Sequence, residues 1–209
     1  GEMRKRDTDL VMKDEYFKLV AYRQFSTLGI KAYPIKECTA DKAIDMAEEL
    51  MQTSDKEFDI IFFDLPGTLN SPGVIQTLAS MDYVFTPVSA DRVVLESTLQ
   101  YATMLNDNLI IPQKGNLKGL YLFWNMVDGR EKTPLYEAYE KVAADLGLNM
   151  LKSILPDSKR FRREVSDQRK SVFRSTLLPT DKTQLKGSNI EELANEICLT
   201  IKLESNGNQ

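Results

Sequence analysis

The sequence predicts an α/β protein whose mostly parallel sheet is flanked by helices. Apolar, β-rich runs alternate with amphipathic helical spacing from end to end, the pattern of a sheet wrapped by crossover helices. The clearest run, Phe58-Asp59-Ile60-Ile61-Phe62-Phe63, has four consecutive apolar residues, as expected of a strand buried on both faces. Several runs end in polar, turn-rich segments, and ligands of open α/β sheets bind beyond the carboxyl ends of strands.

The elements follow in order. Residues 12–28 place Tyr16, Leu19, Val20 and Phe25 near helical spacing, apolar enough for core packing or a partner contact. Ile30–Ile35 reads as a short edge strand, because it contains Pro34. Thr39 caps a helix running to Met51, with Ile44, Ala47, Leu50 and Met51 on one face. The strand Phe58–Phe63 ends in Asp64-Leu65-Pro66-Gly67-Thr68, and a helix from Pro72 to Met81 leads to a strand at Tyr83–Val88. The helix Asp91–Asn106 turns Leu95, Leu99, Tyr101, Ala102 and Leu105 inward as packing residues. After a loop with Pro112 and Gly115, the strand Gly119–Trp124 ends in Asn125-Met126-Val127-Asp128-Gly129. Thr133-Pro134 starts the next helix and Gly147 closes it. Met150–Leu155 is a strand ended by Pro156, and the last helix begins at Asn189. Residues 1–204 form a single domain on this pattern, with a disordered tail at 205–209.

Composition narrows the chemistry. The 209 residues are 42% hydrophobic and 28% charged, the balance of a soluble globular protein, and with no charged and apolar leader pattern at its start a cytoplasmic location is expected. No apolar run approaches the roughly 18 residues of a membrane span, so no membrane partner is expected. There is no histidine, which removes Ser-His-Asp and Cys-His nucleophiles and histidine-ligated metals. Cys38 and Cys198 match no metal-ligand spacing and are expected to be reduced, buried thiols. The net charge is −4, so nucleic-acid binding requires a local patch. One exists: Lys159, Arg160, Arg162, Arg163, Arg169, Lys170 and Arg174 face only Glu164 and Asp167 within that stretch. It fits either phosphate contacts or a solvated helix face. Trp124 is expected to belong to the core.

Three strand ends carry the functional signal: Asp64-Leu-Pro-Gly-Thr, Asn125-Met-Val-Asp and Leu155-Pro156-Asp157. Together with Phe85-Thr-Pro-Val-Ser-Ala-Asp91, this ordered set resembles the ParA/MinD/Soj family of deviant-Walker P-loop ATPases. The resemblance covers about residues 55–200 and looks closest to the ParA-like proteins of Bacteroides-type conjugative elements. It implies a three-layer P-loop NTPase-like fold and an ATP- and Mg²⁺-dependent dimerising switch that serves plasmid or conjugative-transposon maintenance. Asp64 would be the Walker B acid, holding Mg²⁺ through water. Pro66, Gly67 and Thr68 would form the switch that senses the γ-phosphate, with Gly67 permitting close backbone approach. Asn125 would read adenine with its amide. Asp128, Pro156 and Asp157 would complete the nucleotide pocket. The basic stretch would bind DNA nonspecifically in the homodimer, and a centromere-bound ParB-like partner would stimulate hydrolysis.

The sequence departs from the family in two respects, and the lack of its second signature, an Asp-x-Asp strand end before a Gln, is one of them. No Lys-Gly-Gly-x-Gly-(Lys)-(Ser/Thr) loop is present, since Lys114-Gly-Asn-Leu-Lys-Gly119 has the wrong spacing and no helix after it. The opening Gly1-Glu2-Met3 predicts a truncation that removed the loop and the first strand. Such a chain would hold ATP weakly or not at all, and would expose two inner strand edges able to self-associate. A nucleotide-free interaction domain and a MinD-like positioning ATPase are the alternatives. The acidic face of the last helix (Glu191, Glu192, Glu196) argues against the membrane anchor that the latter requires.

Overall fold

The computed structural model describes residues 26, 33–55, 57–67, 73–130, 133–159 and 185–203. The chain divides into two compact units, Gly1–Glu37 with Asp157–Asn189, and Cys38–Pro156 with Ile190–Gln209.

The second unit is α/β, with an open, all-parallel, three-stranded sheet in the order β1-β2-β3. These strands are Tyr83–Val88 (β1), Gly119–Trp124 (β2) and Asn149–Met150 (β3). Around them run the helices Ala43–Thr53 (α1), Val74–Ser80 (α2), Arg92–Leu105 (α3), Thr133–Asp145 (α4) and Ile190–Thr200 (α5). β1 and β2 pair over six residues, from Tyr83 opposite Gly119 to Val88 opposite Trp124. Side chains alternate across a sheet, and the even-numbered ones make the core: Val88, Leu120, Leu122 and Trp124 are buried against Leu78, Leu95, Ala102 and Leu105. The odd-numbered face is aromatic and half-buried, with Phe85 stacked on Tyr121 at 5.6 Å between ring centres.

Trp124 is core, as its setting in an apolar strand implies. It is 1% exposed, meets Tyr136 edge-on at 4.8 Å, and donates from Nε1 to Glu140 Oε1 at 2.9 Å. Truncating so buried an aromatic costs about 3–5 kcal/mol. The packing face expected of α3 is present, with Leu95, Ala102 and Leu105 buried and Leu99 and Tyr101 packed beside them. That helix is capped by Asp91, whose side chain accepts from the Val94 N–H. It continues past its expected end through a π turn, Asn106–Ile110, which carries Leu109 into the core.

The amino end of α2 requires glycine. Gly73 has φ 79°, and a Cβ there would collide with the backbone of Asp41. This abutment seats α2 on the 3₁₀ turn Ala40–Lys42, and Thr77 Oγ1 donates to the Ala40 carbonyl at 2.7 Å.

Four sequence expectations need correction. Phe58–Phe63 forms no strand: its residues are irregular and only half-buried or exposed, with Phe62 81% exposed. An apolar run reports a preference for burial, whereas a strand exists only where a neighbour supplies hydrogen bonds. The described part of the Ile30–Ile35 strand, residues 33–35, is likewise exposed coil. The strand expected at Met150–Leu155 is only Asn149–Met150, for a reason given below. Finally, Cys38 is exposed and Cys198 half-buried, although both are free thiols; Cys38 lies in the exposed stretch that precedes the 3₁₀ turn. On α1, Ala43 and Ala47 are buried, but Met51 is 52% exposed.

Most of the helix expected over 12–28 and the tail after Glu204 lie outside the described residues. No described helix is long and apolar enough to cross a membrane.

Candidate functional site

Parallel pairing brings three strand ends to one edge of the sheet. The Val88 carbonyl at the end of β1 accepts the Asn125 N–H at 2.7 Å. The Val127 N–H donates to Leu155 O at 3.0 Å, and Val127 bridges to Pro156 in parallel register. Val88–Asp91, Asn125–Asp128 and Leu155–Pro156 therefore line the carboxyl end of one sheet, where open α/β folds place ligands.

Local chemistry fixes the middle segment. Asn125 is half-buried and its Oδ1 accepts the Met126 N–H at 3.0 Å. Met126 takes φ 57°, a left-handed conformation uncommon for a residue with a side chain, and stands 60% exposed. The turn orients the amide of Asn125 while using only one lone pair of its oxygen. The two Nδ2 hydrogens and the second lone pair can still meet a ligand that donates and accepts side by side. Asp128 is engaged elsewhere, gripped by Arg130 through Nη2 at 2.6 Å, Nε and the backbone N–H. Those Arg130 contacts lower the Asp128 carboxyl to about 2.

The third strand end is shaped by a residue the sequence did not single out. Leu151 N–H reaches Leu122 O, and Leu155 N–H reaches Trp124 O. Four residue steps on the third strand thus span two on β2, a double bulge. Its cause is Glu196 on α5, whose carboxylate accepts the N–H of Lys152 at 2.7 Å and of Ser153 at 2.7 Å. Both donors are diverted from the sheet, which is why the expected strand stops at Met150. No local signal announces this, because the partners lie 43 and 44 residues apart. Burial raises the Glu196 carboxyl, but the hydrogen bonds from Ser153 and Lys152 outweigh it and hold the group below the ordinary glutamate range.

The other expected site residues lie in several places. Asp64 and Pro66 are exposed on the irregular segment 57–67, while Leu65 between them packs against the core. Gly67 is exposed, and an added Cβ would meet no atom of the described residues. Asp157 and Lys159 are exposed residues of the first unit. Thr68 and the basic residues Arg160, Arg162, Arg163, Arg169, Lys170 and Arg174 lie outside the described residues.

No group of three or more acidic or cysteine side chains able to hold a metal occurs among the described residues. Asp64 by itself offers Mg²⁺ one carboxylate, and such sites take their other ligands from water and phosphate. The chain matches no protein-family model and no curated protein.

Glu196→Gln tests the clamp on the third strand. A carboxyl lowered in the folded state stabilises fully above its unfolded value and loses that contribution as pH falls through the folded one. The stability gap between wild type and Glu196→Gln, from urea unfolding, is expected to be constant from pH 7 to about 5.5 and to narrow below. A gap that widens on acidification contradicts the clamp.

Proposed function

We propose that the chain is the C-terminal portion of a ParA-like partition ATPase, an ATP-dependent dimerising switch that binds DNA without sequence preference. The observation that supports it most is the gathering of Val88–Asp91, Asn125–Asp128 and Leu155–Pro156 at one sheet end. These are three of the four segments that carry the family resemblance.

In this account the Asn125 amide meets the edge of adenine and the backbone after Pro156 adds contacts to the base. Asp64 positions the attacking water and the metal's hydration shell. Bound Mg²⁺ neutralises charge on the phosphates. Pro66, Gly67 and Thr68 change course when a γ-phosphate is present. Arginines and lysines between 159 and 174 hold DNA phosphates, so affinity falls steeply with salt. Hydrolysis, stimulated by a centromere-bound partner, then releases the DNA.

A nucleotide-free interaction domain is the second proposal. The irregular course of residues 57–67 favours it, since Asp64 then has no strand to hold it rigidly.

ATP turnover by the protein expressed from its gene's own start codon separates the two. The ATPase account expects Mg²⁺-dependent hydrolysis that Asp64→Asn reduces roughly 10²-fold with unchanged circular dichroism. Absence of turnover, with and without DNA, favours the interaction domain. For the DNA face, Arg162→Glu with Arg163→Glu should weaken binding to all sequences alike. The slope of log affinity against log salt should then flatten by about 2. An unchanged slope rules the stretch out.

A further inference from the structure

We infer that the third strand has two registers on β2, and that Glu196 on α5 is the latch that selects the bulged one, coupling the seating of α5 to the shape of the strand-end site. Both registers follow from the ladder. Met150 pairs with Leu122, and the Leu151 N–H reaches Leu122 O at 2.8 Å. A regular parallel ladder would next bring the Ser153 N–H to Trp124 O. The Leu155 N–H takes that oxygen instead, at 2.8 Å.

A slip of two residues separates these registers. A slip of one would turn every side chain beyond Leu151 to the opposite face, whereas a slip of two keeps each on its own. In the regular register Lys152 would oppose Trp124, the place Ile154 takes now, and both are exposed. Beyond them the Val127 N–H would meet Ser153 O rather than Leu155 O, and Pro156 would be carried two residues past Val127.

The carboxylate decides between them. In the bulged register the Lys152 and Ser153 N–H groups both end on Glu196, at 2.7 Å each, and hydrogen bonds to a charged acceptor are the strong ones. Without that acceptor the Lys152 donor, at an exposed position, turns to water. The half-buried Ser153 donor finds Trp124 O in the regular register and nothing in the bulged one. A movement that lifts α5 therefore lets the strand zip onto β2 and shifts Leu155–Pro156 along Asn125 and Val127. By linkage, a ligand that fixes Pro156 beside Val127 holds α5 down to the same extent. None of this requires nucleotide.

NMR on the 209-residue chain without nucleotide reads the register through the scalar coupling between an amide nitrogen and the carbonyl carbon it bonds. Wild type is expected to couple Leu155 to Trp124, with slow amide exchange at Lys152 and Ser153 although neither bonds the sheet. Glu196→Ala removes the latch and keeps a good helix former on α5. It should transfer the coupling at Trp124 from Leu155 to Ser153, and lower the ratio of bulged to regular register roughly tenfold. Glu196→Gln retains one acceptor and should give an intermediate ratio, so the test does not hang on the folding of the alanine variant. Leu193→Ala, which loosens α5 at its buried residue and leaves the carboxylate in place, should shift the ratio in the same direction. Fast exchange at both Lys152 and Ser153 in wild type overturns the latch. Leu155 coupling that persists in both Glu196 variants overturns the second register, as does disorder over residues 149–156 with no coupling from Ser153. A ratio unmoved by Leu193→Ala overturns the link to α5.

Discussion

The second unit depends on a single strand whose two edges are both paired. β2 bonds β1 over six residues and receives the third strand through Leu122 and Trp124. Its even-numbered side chains build the core, and its carboxyl end sets the positions of Asn125 and Val127. Trp124 ties the strand to α4 through Glu140 and Tyr136. A displacement of β2 would thus move the core and the candidate site together, and close-packed interiors resist such shifts.

The same dependence explains how the last helix reaches the site. Glu196 captures two amide donors of the third strand, and the chain returns to β2 at Leu155 two residues later than a regular ladder allows. The bulge therefore decides where Pro156 meets Val127. A carboxylate on α5 in this way sets the geometry of a loop far from it in sequence. β1 lies at the opposite limit, ordered by β2 on one side and, among the described residues, unpaired on the other.

The strands Tyr83–Val88 and Gly119–Trp124 were legible to the residue, because each is an apolar run bounded by turn chemistry and each finds a parallel neighbour. Phe58–Phe63 has the stronger apolar pattern but no ladder, so hydrophobicity overstated it. Met150–Leu155 failed for a different reason, since its donors serve a distant glutamate that no window contains. Burial of Trp124 followed from its strand, whereas its bond to Glu140 depends on the later packing of α4. Of the candidate site, the meeting of the segments at Asn125 and Leu155–Pro156 was readable from the parallel pattern, whereas Asp64, expected at a third such strand end, lies on an irregular segment. The left-handed turn at Met126 was not, since nothing about methionine invites positive φ, and neither was the commitment of Asp128 to Arg130.

A chain that works as proposed receives ATP at the gathered strand ends. The sequence contains one tryptophan, buried in the core immediately before Asn125, so its emission reports on the packing beside that site. Titrating Mg·ATP and Mg·GTP into the protein expressed from its gene's own start codon, with calorimetry in parallel, is the most direct test. Saturable binding with a change in Trp124 emission, and preference for ATP that Asn125→Ala removes, is the predicted result. Absence of heat and of any emission change across millimolar ATP would contradict the claim.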